Sequence, residues 1–180
     1  SAVMDRGLWS AENGYNLPNM RMIAKCCRTN RVSCTAYRGF GVPQCIAITE
    51  TAIEHAGRAL GMHPQDFRKK NLYRTGDIMP TGGVLEGCSV RMCFDQMCKE
   101  ANIDERYREV AEFNAKSKYV KRGIAVMPCR QSVGFEANFM NQGGTLVNIY
   151  PDGSVLCTHG GTEMGQGLHT KVAQVAAQTL

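Results

Sequence analysis

The run Thr145-Leu146-Val147-Asn148-Ile149-Tyr150, then Pro151-Asp152-Gly153-Ser154, then Val155-Leu156-Cys157-Thr158, decides the fold class. Two short β-rich segments joined by turn-forming residues predict a hairpin. Upstream the signals are helical. Pro43 suits a first helical turn and Gly61 a C-terminal cap, and Ile46, Ala52, Ile53, Ala56 and Leu60 between them approximate one apolar face. A shorter helix is expected after Pro64, with Phe67 and Leu72 inward and Arg68, Lys69 and Lys70 outward. Ser89 and Asp104 suit the N-caps of two more helices, near 90–101 and 105–117. Gly123 to Cys129 reads as a further β-rich run. A last amphipathic helix carries Leu168, Val172, Val175 and Thr179 at helical spacing. Helices, then strands, then a helix make the class α+β.

Composition narrows the function classes. A chain of 180 residues buries one respectable core or two small ones. With 43% hydrophobic and 21% charged residues it is globular in composition. No apolar run nears the ~18 residues of a membrane span, and no signal peptide is visible. Residue 1 is not Met and Leu180 falls inside a helical pattern, so both ends are expected to be cut from a longer chain. The net charge is +5, but the basic runs Arg68-Lys69-Lys70 and Lys116 to Arg122 lack interleaved stacking aromatics. They are read as solvated helix faces and not as a nucleic-acid surface. Nine cysteines include no C-x-x-C pair and match no iron–sulfur spacing. They are expected to be reduced and buried as small hydrophobes.

Nineteen glycines exceed the average share, and they cluster. The loop Thr75 to Gly87 holds five glycines and prolines and is a candidate subdomain joint. The turns at 39–44 and 160–167 each lead into a helix, where backbone N–H groups favour anions or a close polar ligand. Neither is a dinucleotide fingerprint or a P-loop. His159 and His169 flank the second turn, where cap or core roles are the simpler reading. Glu163, inside it, suits a hydrogen bond to backbone or cofactor, or a helix cap. Glu136 stands among apolar neighbours opposite Phe135 in strand alternation, where a solvent-facing carboxylate is the simplest reading.

Two stretches carry a resemblance. Thr35-Ala36-Tyr37-Arg38-Gly39-Phe40-Gly41-Val42-Pro43-Gln44 resembles a signature of the xanthine dehydrogenase/aldehyde oxidase family. Asp152 to Val155 and Thr158-His159-Gly160-Gly161-Thr162-Glu163-Met164-Gly165-Gln166-Gly167-Leu168-His169-Thr170-Lys171 resemble its pterin-binding segment. Arg68 to Tyr73 and Asn141 to Gly144 fall where that family has similar residues. The likeness runs along nearly the whole chain.

The resemblance implies part of the molybdopterin-binding region of a molybdenum hydroxylase, in two subdomains meeting near residue 120 (1–120, then 121–180). It implies hydroxylation of an electron-poor carbon with water-derived oxygen, a glutamate outside the chain acting as base. Electrons then pass through two 2Fe–2S clusters and FAD, also outside it, to NAD or O2. Arg38, through its backbone amide, and Gly39 would meet the molybdenum centre. Met164, Gly165 and Gln166 would lie against the pterin. Phe40 would stack flat on the substrate ring and Phe135 meet it edge-on, a geometry aromatic quadrupoles favour. Arg6 matches an arginine that orients purines, which favours the xanthine branch; a guanidinium suits an oxygen gaining charge. Two departures bear on substrate. Val42 replaces a usual glycine, and Glu136 stands where the xanthine branch has a threonine, adding negative charge to the pocket. The substrate is accordingly a purine such as hypoxanthine or xanthine, with an aldehyde or N-heterocycle as the alternative; a third reading is an inactive truncated paralogue. The parent would be a homodimer in the cytoplasm or peroxisome, without nucleic-acid or membrane partners, and the isolated piece would be inactive.

Overall fold

Pro43 occupies the first turn of a helix, α2, over Val42–Ala59, and Gly61 turns the chain just beyond it at φ 66°. The computed structural model describes residues 2–34, 36–131, 134 and 138–180. Around α2 are α1 (Ala2–Leu8), α3 (Pro64–Asn71), α4 (Val90–Glu100) and α5 (Ile103–Lys116). A short 3-10 turn at Asn138–Met140 precedes the strands β1 (Thr145–Ile149) and β2 (Val155–His159), and α6 (Leu168–Thr179) follows. The mixed helix and short-strand class is thus as expected. The chain divides into two compact units, Ser1–Ser132 and Val133–Leu180, and the 75–87 loop lies within the first.

In the first unit Tyr15, Ile53, Leu72 and Phe94 form the core, with Leu17, Phe67, Val90, Cys98 and Val126 packed on it. Residues 14–16 bridge to the end of α3, Tyr73 N–H donating to Gly14 O and Asn16 N–H to Asn71 O. The buried stripe of α2 differs from the expected one. It is Val42, Thr49, Glu50, Ile53 and Gly57, whereas Ala52 and Leu60 face solvent. Polar groups therefore enter the core, and they draw Arg68 in with them. Arg68 is 3% exposed and not outward, because Glu50 and Glu54 both require its charge.

Other expectations are corrected in detail. Ser89 does stand at the N-cap of α4, without a side-chain cap bond. Asn102, left-handed at φ 47°, and not Asp104, is the N-cap of α5. Gly123 to Cys129 forms no strand. Its side chains do alternate, Val126, Pro128 and Arg130 lying further in than Ala125, Met127 and Cys129. Among the described residues no neighbouring strand completes a ladder; the Asn13 side chain stands in for one. Its Nδ2 donates to Pro128 O at 2.8 Å, and its Oδ1 accepts from Arg130 N–H at 2.9 Å. All nine cysteines are free, and none is buried, because the core is filled by larger apolar side chains.

In the second unit β1 and β2 pair antiparallel, Thr145 opposite His159 and Ile149 opposite Val155. The connecting turn is closed by Asp152, whose Oδ1 accepts from both Ser154 N–H and the Ser154 hydroxyl. Helix α6 lies against β2, and Val172, Val175 and Thr179 line an apolar groove with Val147 and Cys157.

Candidate functional site

The first glycine turn has three consecutive left-handed residues, Gly39 at φ 90°, Phe40 at φ 51° and Gly41 at φ 92°. Left-handed geometry costs a non-glycine residue about 1–2 kcal/mol, so Phe40 is held there by its surroundings. Helix α1 supplies them. A Cβ on Gly41 would collide with the carbonyl oxygen of Val3, and one on Gly7 would lie 2.7 Å from Cys45 Sγ. Only glycine at both positions lets α1 rest on the start of α2. Arg6, half-buried, rides on that helix, and Arg38 and Phe40 are exposed on the turn itself. Arg6, Arg38, Gly39 and Phe40 are therefore gathered at one end of α2. Phe135 and Glu136 lie outside the described residues.

The second turn joins β2 to α6. Glu163 occupies the N-terminus of α6, its carboxylate accepting from Gly165 N–H at 2.7 Å, Gly167 N–H at 3.0 Å and His169 N–H at 3.3 Å. The N–H of Gly167 above all, with those of Gly165 and His169, lowers its pKa to about 2. Of the readings open to Glu163, the cap is the one adopted. It also corrects the expectation that this helix end attracts an external anion, since the carboxylate already takes its donors. Gln166 folds back as well, its Oε1 accepting from Met164 N–H at 2.5 Å and its Nε2 donating to Thr162 O at 2.7 Å. Met164 is exposed, and Gly160 and Gly167 have nothing within 4 Å of where a Cβ would stand. The turn thus offers bare backbone on which a flat ring can lie, and no phosphate cradle. The two turns belong to different units, and each is described by itself.

A network that sequence reasoning missed ties α2 to α3 and to residues 12–15. Glu50 accepts from Tyr15 Oη at 2.7 Å, Asn13 Nδ2 at 2.9 Å and Arg68 Nε at 2.9 Å, and Arg68 also donates to Glu54 at 2.9 Å. Burial first, then the hydrogen bond to Glu50, pushes the Tyr15 phenol far up. Arg130 pairs with Glu12 at 2.6 Å. The available signal was Glu50 itself, which shares a helical stripe with Val42, Thr49 and Ile53 and so had to find a cation inside. A cavity of about 470 Å³ bounded by Tyr73, Val90, Phe94, Val126 and Arg130 adjoins this network and, among the described residues, touches none of the predicted site residues. Among the described residues no group of three or more His, Cys, Asp or Glu could hold a metal ion. Nor is any described helix long and apolar enough to cross a membrane.

Comparison with known proteins adds a lineage. Two families described as molybdopterin cofactor-binding domains match residues 1–72 and 96–180. A xanthine dehydrogenase/oxidase of Gallus gallus is 45% identical over 178 residues, 99% of this chain and 13% of that protein. A nicotinate hydroxylase of Emericella nidulans is 44% identical over 182 residues, 100% of this chain and 14% of that protein. The crystal structure of an aldehyde oxidoreductase from Desulfovibrio desulfuricans superposes with a TM-score of 0.55 at 29% identity, covering 62% of this chain and 12% of that one. The chain thus spans about one-seventh of the length of the curated relatives it matches.

Proposed function

Because the chain belongs to the molybdopterin cofactor-binding domain family and is homologous to the xanthine dehydrogenase type of molybdenum hydroxylase, we propose that it works as part of a purine-oxidising enzyme. In that reading the bound molybdenum group supplies a strong oxygen nucleophile near neutral pH and a sink for the electron pair. The chain's own residues bind and orient. The bare backbone of 160–167, with Met164, Gly165 and Gln166, supports the pterin ring. Arg38 and Gly39 present backbone to the metal side of the group. Phe40 stacks on the heterocycle, joined by Phe135, and the Arg6 guanidinium holds a carbonyl oxygen as charge gathers on it. The base glutamate, the two 2Fe–2S clusters, FAD and the NAD or O2 acceptor belong to the rest of the parent.

One observation carries the purine assignment: α1, bearing Arg6, is seated on the turn bearing Phe40 and Arg38. In the parent, Arg6→Met is expected to lower kcat/KM for xanthine by about a hundredfold or more, the scale of one transition-state donor. The value for a simple aldehyde is expected to change by less than about threefold, since an aldehyde lacks the ring carbonyl. Equal losses on both substrates remove Arg6 from purine recognition.

A second reading, an N-heterocycle hydroxylase, is favoured by the nearly equal identity to the nicotinate hydroxylase. Glu136 weighs against an anionic substrate there, since two carboxylates in one pocket repel. Turnover of nicotinate above hypoxanthine by the parent would select this second reading. The 180-residue chain alone, supplied with the cofactor, is expected to give no turnover. Xanthine oxidation by it would show that the base and electron path are not needed from outside.

A further inference from the structure

The two histidines flanking the second turn meet. His159 Nε2 and His169 Nδ1 are 3.0 Å apart, and His159 Nδ1 accepts from Gly161 N–H at 3.1 Å. These contacts leave one proton arrangement. Since His159 Nδ1 is an acceptor, its ring is neutral with the proton on Nε2, and that N–H donates to His169. His169 Nδ1 is then an acceptor too, so its ring is also neutral with its proton on Nε2. His159 is fixed by the hairpin as the last residue of β2, opposite Thr145, and His169 is the second residue of α6. The hydrogen bonds therefore tie the strand end, the turn and the helix start into one closed loop. Gly161 completes it, because a Cβ there would press into Leu168 of α6.

We propose that His159 and His169 are positioning residues that latch the turn, presetting the backbone of 160–167 for the flat ring. The role assigned to the turn rests on the function proposed above; the latch itself does not. Glu163 is committed to backbone N–H groups, so it does not replace the ring contacts where an imidazole is removed.

The test uses the 180-residue chain and nitrogen-15 NMR of its imidazoles at about pH 8, the upper end of the span where imidazoles change charge. Both rings are expected neutral with the proton on Nε2. Gly161 amide exchange is expected to rise about fivefold in His169→Phe. His169→Asn, which keeps an acceptor oxygen where Nδ1 stands, is expected to restore most of the protection. A proton on Nδ1 of either ring overturns the proposal. So does unchanged Gly161 exchange in His169→Phe, or an equal response from Phe and Asn. Protection of the β1–β2 amides reports whether each variant keeps the hairpin; where it does not, the position of the ring protons in the wild type decides. A latch that forms as described in a chain that retains no pterin counts against the proposed function and leaves the latch standing.

Discussion

At the residue scale the chain spends glycine where backbones touch and carboxylate where backbones end. Gly41 is left-handed and leaves no room for a methyl group beneath Val3, so Gly41→Ala incurs both a backbone penalty and a collision. A loss of about 2 kcal/mol or more is expected by chemical denaturation, with α1 displaced and Arg6 carried off the turn. Glu163 governs the other turn through charge. Its folded pKa lies below the ordinary carboxyl value of 4.5, so its contribution is complete above that value and is lost as pH falls through about 2. Amide exchange at Gly165 and Gly167 is therefore expected to stay slow down to about pH 3 and to accelerate below it. Glu163→Gln, which keeps the shape and removes the charge, is expected to abolish that acid step. Of the sequence readings, Arg6, Arg38 and Phe40 could be singled out because each sits in a contiguous motif, and their roles stand as the proposal above. The buried pairing of Arg68 was not, because its partners Glu50 and Glu54 lie on another helix.

At the element scale α2 is the organiser. Its buried stripe is half polar, so α3 docks through an ion pair as well as through Phe67 and Leu72. Arg68→Ala leaves Glu50 buried with only Tyr15 and Asn13 as donors, and a loss of about 3–5 kcal/mol is expected. The double variant Glu50→Gln with Arg68→Met is expected to cost clearly less than the sum of its single changes, since the uncompensated charge is removed along with its partner. A denaturation cycle over the four proteins reads this directly. Helix ends at Pro43, Pro64 and Ser89 were legible because Pro and Ser mark N-termini by local chemistry. The strand expected over 123–129 failed for a non-local reason. Alternation fixes which side chains turn inward, but a ladder needs a neighbour, and Asn13 supplies only one side chain's worth of one.

At the scale of the whole molecule the two units differ in what holds them. The first has a core and a buried ionic network, whereas the second has a two-stranded hairpin and one helix whose residues are all at least partly exposed. A two-stranded hairpin alone is marginal in water, and here the helix that packs on it buries none of its residues. Hydrogen exchange across the chain is expected to show the β1, β2 and α6 amides exchanging well ahead of those of α2. Protection of unit two equal to that of α2 would show a core that the described residues do not contain. The amino-acid sequence by itself determined the α+β class, the helix starts at Pro43, Pro64 and Ser89, the hairpin and the family, because each is written in neighbouring residues. Only the tertiary structure decided that α1, which carries Arg6, rests on the first turn and that Arg68 turns inward. It alone closed the second turn with Glu163 and a pair of hydrogen-bonded histidines. Those outcomes depend on which distant groups meet, and a buried or competing charge takes the nearest partner that folding brings to it.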